Sequence, residues 1–262
     1  MKIRTCAVAG MFYPGEPSHL EQLLGKFFAA AGHETSACGI VAPHAGYIYS
    51  GAVAALSYAA LPSSFDGTFV VIGPSHRGYP TCTSAVPWET PLGIVDTDTD
   101  LVSAFDLPVN EVYHADEHSL EVQMPFIKYR FPRARIAPVL MGNQDLASSV
   151  RLGRTIAEAA REARREIRVV ASSDFSHYVP EAIAESQDLY AIEALKSLEI
   201  ELFYSRLRER GSTACGYGTI AAMITASVEV GAEKAELLKY ATSGDVTGDR
   251  ASVVGYAAIA VI

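Results

Sequence analysis

Three apolar runs in this chain each lead into a histidine. Ile40-Val41-Ala42 is followed by Pro43-His44, Phe69 to Ile72 by Gly73-Pro74-Ser75-His76, and Val169-Val170-Ala171 by Ser172-Ser173-Asp174-Phe175-Ser176-His177. Such runs read as buried strands, and in open α/β sheets the loops past the carboxyl ends of strands line the ligand crevice. Imidazoles delivered there can converge on one point. A lone loop histidine is more often an ordinary residue of intermediate burial, but three in the same topological position favour a shared site. A fourth segment, Tyr113-His114-Ala115-Asp116-Glu117-His118-Ser119-Leu120-Glu121, places two histidines and three carboxylates just before a helix. Acidic residues at a helix start favour its dipole, which accounts for Asp116, Glu117 and Glu121 but does not require His118. An imidazole with a carboxylate on its other nitrogen makes an acid/base unit, and this segment offers both types. Cys215, within Gly211-Ser212-Thr213-Ala214-Cys215-Gly216-Tyr217-Gly218, precedes an apolar helix. A thiol at a helix amino terminus has a lowered pKa and can act as nucleophile or as metal ligand, and the flanking glycines permit close backbone approach to a ligand.

The elements that must position these residues alternate along the chain. Ser18-His19-Leu20-Glu21 fits a capping box opening a helix that runs to Ala31. A short β-type run covers Gly39 to Ala42, a helix of small residues Ser50 to Ala60, and a strand buried on both faces Thr68 to Ile72. Ser119 to Phe131 reads as a helix kinked or divided at Pro125, and Arg135 to Leu140 as a strand with Pro138 near an edge. Leu152, Ile156, Ala159, Ala160 and Ala163 form a helical stripe ahead of a strand over Ile167 to Ala171. Two helices fill Glu185 to Arg210, another follows Cys215, and Ala235 to Thr242 and Ser252 to Ile262 read as long antiparallel neighbours. The pattern predicts one domain over residues 1–262, an α/β sandwich of helices around a mixed, mostly buried β-sheet.

Composition narrows the function classes. With 262 residues, 49% hydrophobic and 19% charged, the chain can bury a large core, and disordered or collagen-like structure is excluded. No apolar run approaches the roughly 20 residues of a membrane span. The start of the chain reaches Gly10, Pro14 and Gly15 before a signal-peptide core could form, so no export is expected. Cys6, Cys38, Cys82 and Cys215 lie far apart with no Cys-x-x-Cys pair, which predicts reduced thiols in a cytoplasm. Against 30 acidic residues stand 21 basic ones, clustered at Arg151 to Arg168 and Arg206 to Arg210 as solvated helix faces, so nucleic acid is not an expected partner.

Ala42-Pro43-His44-Ala45-Gly46-Tyr47, Gly73-Pro74-Ser75-His76, Thr90-Pro91-Leu92-Gly93, Asp116-Glu117-His118-Ser119-Leu120-Glu121, Ser172-Ser173-Asp174-Phe175-Ser176-His177 and the Cys215-Gly216 turn together resemble the Memo family, also labelled AmmeMemoRadiSam system protein B. The resemblance spans nearly the whole chain and keeps the motif order. It implies a fold similar to class III extradiol dioxygenases, the non-haem iron enzymes that open catechol rings. Carried over by position, His44 and His76 match two metal-binding histidines and Cys215 the thiol presented as third ligand. His118 and His177 match acid/base histidines, with Asp174 placed to orient a neighbour or contact the ligand. The dioxygenases instead use two histidines and a carboxylate. A thiolate in place of that carboxylate is softer and broadens the metal choice, so ring cleavage does not follow from fold.

The resulting expectation is a redox-active metalloenzyme with one mononuclear transition metal, iron first, copper or zinc as alternatives. The other readings are an extradiol-type dioxygenase, a metal- or peptide-binding scaffold using the same cleft, and a hydrolase with Cys215 as nucleophile and His177 as base. The family label implies a pathway link to radical SAM and AMMECR-type proteins, and a small molecule or peptide as the cleft's ligand. The oligomeric state stays open.

Overall fold

Strands too apolar to face water on either side must stack side by side, and here they form the centre of one eight-stranded sheet. The computed structural model describes residues 2–32 and 34–262. Its first half runs α1 (Pro17–Ala29), β1 (Gly39–Ala42), α2 (Tyr47–Ala59), β2 (Thr68–Pro74), β3 (Cys82–Thr83), β4 (Trp88–Thr90), β5 (Gly93–Val95), α3 (Thr99–Ala104), α4 (Glu111–His114), α5 (His118–Glu121) and α6 (Met124–Arg130). The second half runs β6 (Arg135–Met141), α7 (Leu146–Glu162), β7 (Ile167–Ser172), β8 (His177–Val179), α8 (Glu181–Lys196), α9 (Ile200–Arg210), α10 (Tyr217–Glu229), β9 (Ala235–Thr242), α11 (Gly244–Thr247) and β10 (Val253–Val261).

The sheet order is β3-β6-β2-β7-β1-β10-β8, with β9 also paired to β10. The pairings among β6, β2, β7 and β1 are parallel, whereas β3, β8, β9 and β10 pair antiparallel. This is the mixed, mostly buried sheet flanked by helices that the alternation predicts. Successive strand residues divide between two cores. Ile40, Phe69, Val71 and Val170 join Leu20, Leu24, Tyr58 and Phe126 from α1, α2 and α6. Val41, Val70, Ile72, Val169 and Ala171 face Leu152, Ile156, Ile220 and Met223 from α7 and α10.

Several boundaries differ from the sequence reading for local reasons. The capping box does not form: α1 starts at Pro17 with Glu16 as N-cap, because proline's fixed φ suits the first turn, and Ser18 falls inside the helix. Helix α2 begins at Tyr47, directly after the His44 loop, rather than at Ser50. The Ser119–Phe131 segment is divided into α5 and α6, with Pro125 in the first turn of α6 where its missing N–H costs nothing. Pro138 sits in β6, whose outer neighbour is the two-residue β3.

Because β7 lies between β2 and β1, the loops carrying His76, Asp174 and His44 leave neighbouring strand ends. Segment α5 is held over them by the amino-terminal segment ahead of α1: the Glu121 carboxylate pairs with Arg4 and accepts from the amides of Ala7 and Val8 and from Tyr13 Oη at 2.6 Å. Arg4 Nε also donates to His114 O at 3.0 Å, with its guanidinium 4.4 Å over Trp88. His114 itself is fully buried against Trp88, and neither ring nitrogen has a partner.

Burial, with Arg4 adding to it, pushes the His114 imidazole down to about 4. An unfolded histidine takes a proton near 6.5, so between these values the unfolded chain binds more protons and stability falls with acidification, by about 3 kcal/mol from this group at pH 4. His114→Phe keeps a ring on Trp88 and removes the titration. Urea unfolding at pH 7 and pH 4 should show a shallower acid loss in the variant by about that amount; equal losses would contradict this role.

Candidate metal centre

His44, His76 and His118 meet over the carboxyl ends of β1 and β2. Each offers one ligand atom, and these atoms all lie within 4.8 Å of one another. The rings of His76 and His118 stack at 4.5 Å, and His44 stands edge-on to both, at 5.3 and 5.5 Å. His44 is buried, whereas His76 and His118 keep part of their surface exposed toward the cleft.

The hydrogen-bond partners of the rings decide which nitrogen of each faces the site. Ser172 Oγ spends its one hydrogen on Ser119 O at 2.6 Å, so toward His44 Nδ1, at 2.9 Å, it can only accept. Gln123 Nε2 donates to the same hydroxyl at 2.9 Å. His44 therefore carries its proton on Nδ1 and presents a bare Nε2. His76 Nδ1 donates to Glu117 Oε1 at 2.8 Å, so the nitrogen this ring offers a metal is Nε2. An imidazole whose outer nitrogen is tied to a hydroxyl or carboxylate is oriented and made more basic for a metal.

Two glycines permit this convergence. A Cβ on Gly73 would sit 2.6 Å from Ser119 Oγ, and one on Gly216 would sit 2.5 Å from Ser172 O. The strand end of β2 packs directly under α5, and the Cys215 turn packs directly on the β7 loop. There Cys215 N donates to Asp174 O at 3.1 Å and Gly216 N to Ser173 Oγ at 3.0 Å.

Cys215 Sγ lies 3.2 Å from His44 Nε2. The imidazole against the thiol is thus His44, not His177. Cys215 stands outside the group of three mutually close ligand atoms, and His118 stands within it. The expected lowering of this thiol is corrected by the structure. Cys215 precedes α10, but burial, with the Asp174 carboxylate adding to it, pushes the thiol well up. A cation on Sγ would reverse that balance.

The carboxylates are divided in character. Burial would raise Glu117, but the hydrogen bond and charge of His76 and the amides of Ser119 and His76 hold it down to about 2. Burial lifts Asp174 to about 6 against the amide of His44, which donates to its Oδ1 at 2.8 Å. Burial and the neighbouring imidazoles hold His44 and His118 below the usual histidine range. Neutral imidazole is the form that binds metal. The donor set fits one first-row transition ion, for which imidazole and thiolate are suited.

His177 lines the same cleft, of about 560 Å³, without joining the three histidines. Its Nδ1 lies 3.1 Å from Thr213 O, an acceptor only, so its free nitrogen is Nε2. Tyr178, 78% exposed, sits beside it at the mouth with φ 58°, a left-handed conformation that bulky residues rarely hold.

The family described as Memo-like protein matches residues 4–260. The chain belongs to the Memo family. It is 45% identical over 266 residues to a MEMO1 family protein of Methanosarcina barkeri, covering 99% of this chain and 100% of that one. A MEMO1 family protein of Methanosarcina mazei is 44% identical over 268 residues, with both chains fully covered, and one of Nitrosopumilus maritimus is 39% identical over 273 residues, 98% of each.

In this Memo chain, sequence reading named His44, His76, His118, His177, Asp174 and Cys215, and all six border one region. It missed Ser172 and Gln123, whose types are common in loops and helices, and it offered the carboxylates of the Asp116–Glu121 segment as imidazole partners without singling out Glu117. The raised thiol has a direct consequence. Metal-free protein at pH 8 should be alkylated by iodoacetamide at Cys215 far more slowly than a short cysteine peptide; peptide-mapping mass spectrometry showing equal rates would contradict the raised thiol.

Proposed function

We propose that this chain is a redox-active metalloenzyme holding one transition-metal ion, with iron the first candidate and copper or zinc the alternatives. The carrying observation is the convergence of three imidazoles, two of them with Nδ1 tied by outer hydrogen bonds. His44 and His76 are the proposed core ligands. His118 is a third by proximity, and Cys215 a further donor reached from the His44 side. Imidazoles backed by buried carboxylates favour iron over magnesium or calcium. When bound, the ion supplies Lewis acidity and a redox couple.

The protein's own residues supply the rest. His177 Nε2 faces proton exchange, its ring held by Thr213. Asp174, lifted to about 6, carries or releases a proton near neutral pH at the cleft wall. The cleft's size suits a small molecule or a peptide side chain. Extradiol-type ring opening is the finer reading drawn from the resemblance; the placement of the histidines past strand ends supports it, and the nearby thiol weakens it. A pathway shared with radical SAM and AMMECR-type proteins rests on the family label. A cytoplasmic setting is supported by the free cysteines. Among the described residues no helix is long and apolar enough to cross a membrane.

Anaerobic purification with elemental analysis tests the reading. Wild type should carry one iron per chain, and His44→Ala and His76→Ala should lose more affinity than the ~10–100-fold that removal of an outer-shell partner costs. Comparing His118→Ala with Cys215→Ser ranks the remaining donors, the histidine variant being the more damaging. Unchanged stoichiometry and affinity in both the His44 and His76 variants would overturn the metal site.

A further inference from the structure

Glu117 does more than a helix start requires. Its Oε1 accepts from His76 Nδ1 at 2.8 Å and from Ser119 N at 3.0 Å and lies 3.5 Å from His118 Nδ1; its Oε2 accepts from His76 N at 3.0 Å. One oxygen therefore stands behind two of the three clustered rings. Capping α5 needs a single short acceptor, for which Ser, Asp or Asn is favoured over Glu. The longer side chain is what brings the carboxylate to the imidazoles.

Charge points the same way. Glu117 is 2% exposed, and among the described residues no Lys or Arg nitrogen lies within ion-pair distance of it. Arg4 reaches only its backbone carbonyl, and Arg77 pairs with Asp116 instead. A buried carboxylate whose neighbours are imidazoles and amides has no permanently charged partner. A divalent cation on the far side of His76 and His118 supplies one.

Resting on the metal reading above, we infer that Glu117 is the positioning residue that turns His76 and His118 into a matched pair of ligands. It sets the Nδ1–H form of His76, aligns the stacked rings, and balances the charge of the ion. It touches neither metal nor substrate.

Cobalt(II) titration, followed by visible absorption, and ¹⁵N NMR of the imidazoles in the metal-free protein test this on Glu117→Gln and Glu117→Asp. Glu117→Gln should weaken cobalt binding by about 10–100-fold and turn the single His76 tautomer into a mixture, while Glu117→Asp, which keeps the charge at shorter reach, should fall between it and wild type. Wild-type affinity in either variant would overturn the inference, as would a lowered melting temperature with affinity and tautomer unchanged, which reduces Glu117 to a cap. Should the Gln variant fail to fold, the Asp variant carries the same readouts. No cobalt uptake by wild type would sink the metal reading, whereas the His76 tautomer still decides, independently, whether Glu117 orients the ring.

Discussion

Ser119 ties the site together through its backbone and its side chain. Its carbonyl accepts the only hydrogen of Ser172 Oγ, its amide donates to Glu117, and its hydroxyl donates to Pro74 O at 3.3 Å. Those partners lie at the carboxyl ends of β7 and β2 and at the cap of α5. The register of the parallel strands brings them within reach, since Ala42 of β1 pairs with Ser172 of β7. Were α5 to slide along β2, the Ser172 hydroxyl would need another acceptor and would no longer be forced to accept from His44. The tautomers of His44 and His76 depend on this one contact region.

Keeping so many polar groups buried is costly unless each finds a partner. Here the partners come in relays: Gln123 to Ser172 to Ser119, and His76 to Glu117. The amino-terminal segment ahead of α1 closes the arrangement from outside, with Glu121 satisfied by Arg4, Tyr13 and the amides of Ala7 and Val8. Neutral imidazoles, a protonated thiol and a carboxylate near neutral pKa are the forms such a dry region favours, and they are also the forms a cation displaces protons from.

The strand-end histidines were legible because apolar runs and the position past their ends are local signals. So was the alternation of elements, down to the long final pair β9 and β10. What escaped the sequence depends on distant residues. His118 enters the group of three because a four-residue helix packs over Gly73 so closely that a side chain there would collide with Ser119, a contact that no spacing along the chain encodes. Ser172 and Gln123 become tautomer-setting residues only through strand register. Cys215 shows the opposite failure: a sound local rule, that a helix start lowers a thiol, is outweighed by burial and by Asp174. Glu117 caps α5, as its place before a helix implies, and the sequence offers a carboxylate to an imidazole there, but which imidazole it holds depends on the His76 ring brought in by β2.

X-ray absorption spectroscopy of anaerobic protein loaded with one equivalent of iron(II) addresses the central claim most directly. Convergent His44, His76 and His118 predict outer-shell scattering from at least two imidazoles, diminished in His76→Ala. A spectrum of iron surrounded by water oxygens alone, identical in wild type and variant, would contradict it.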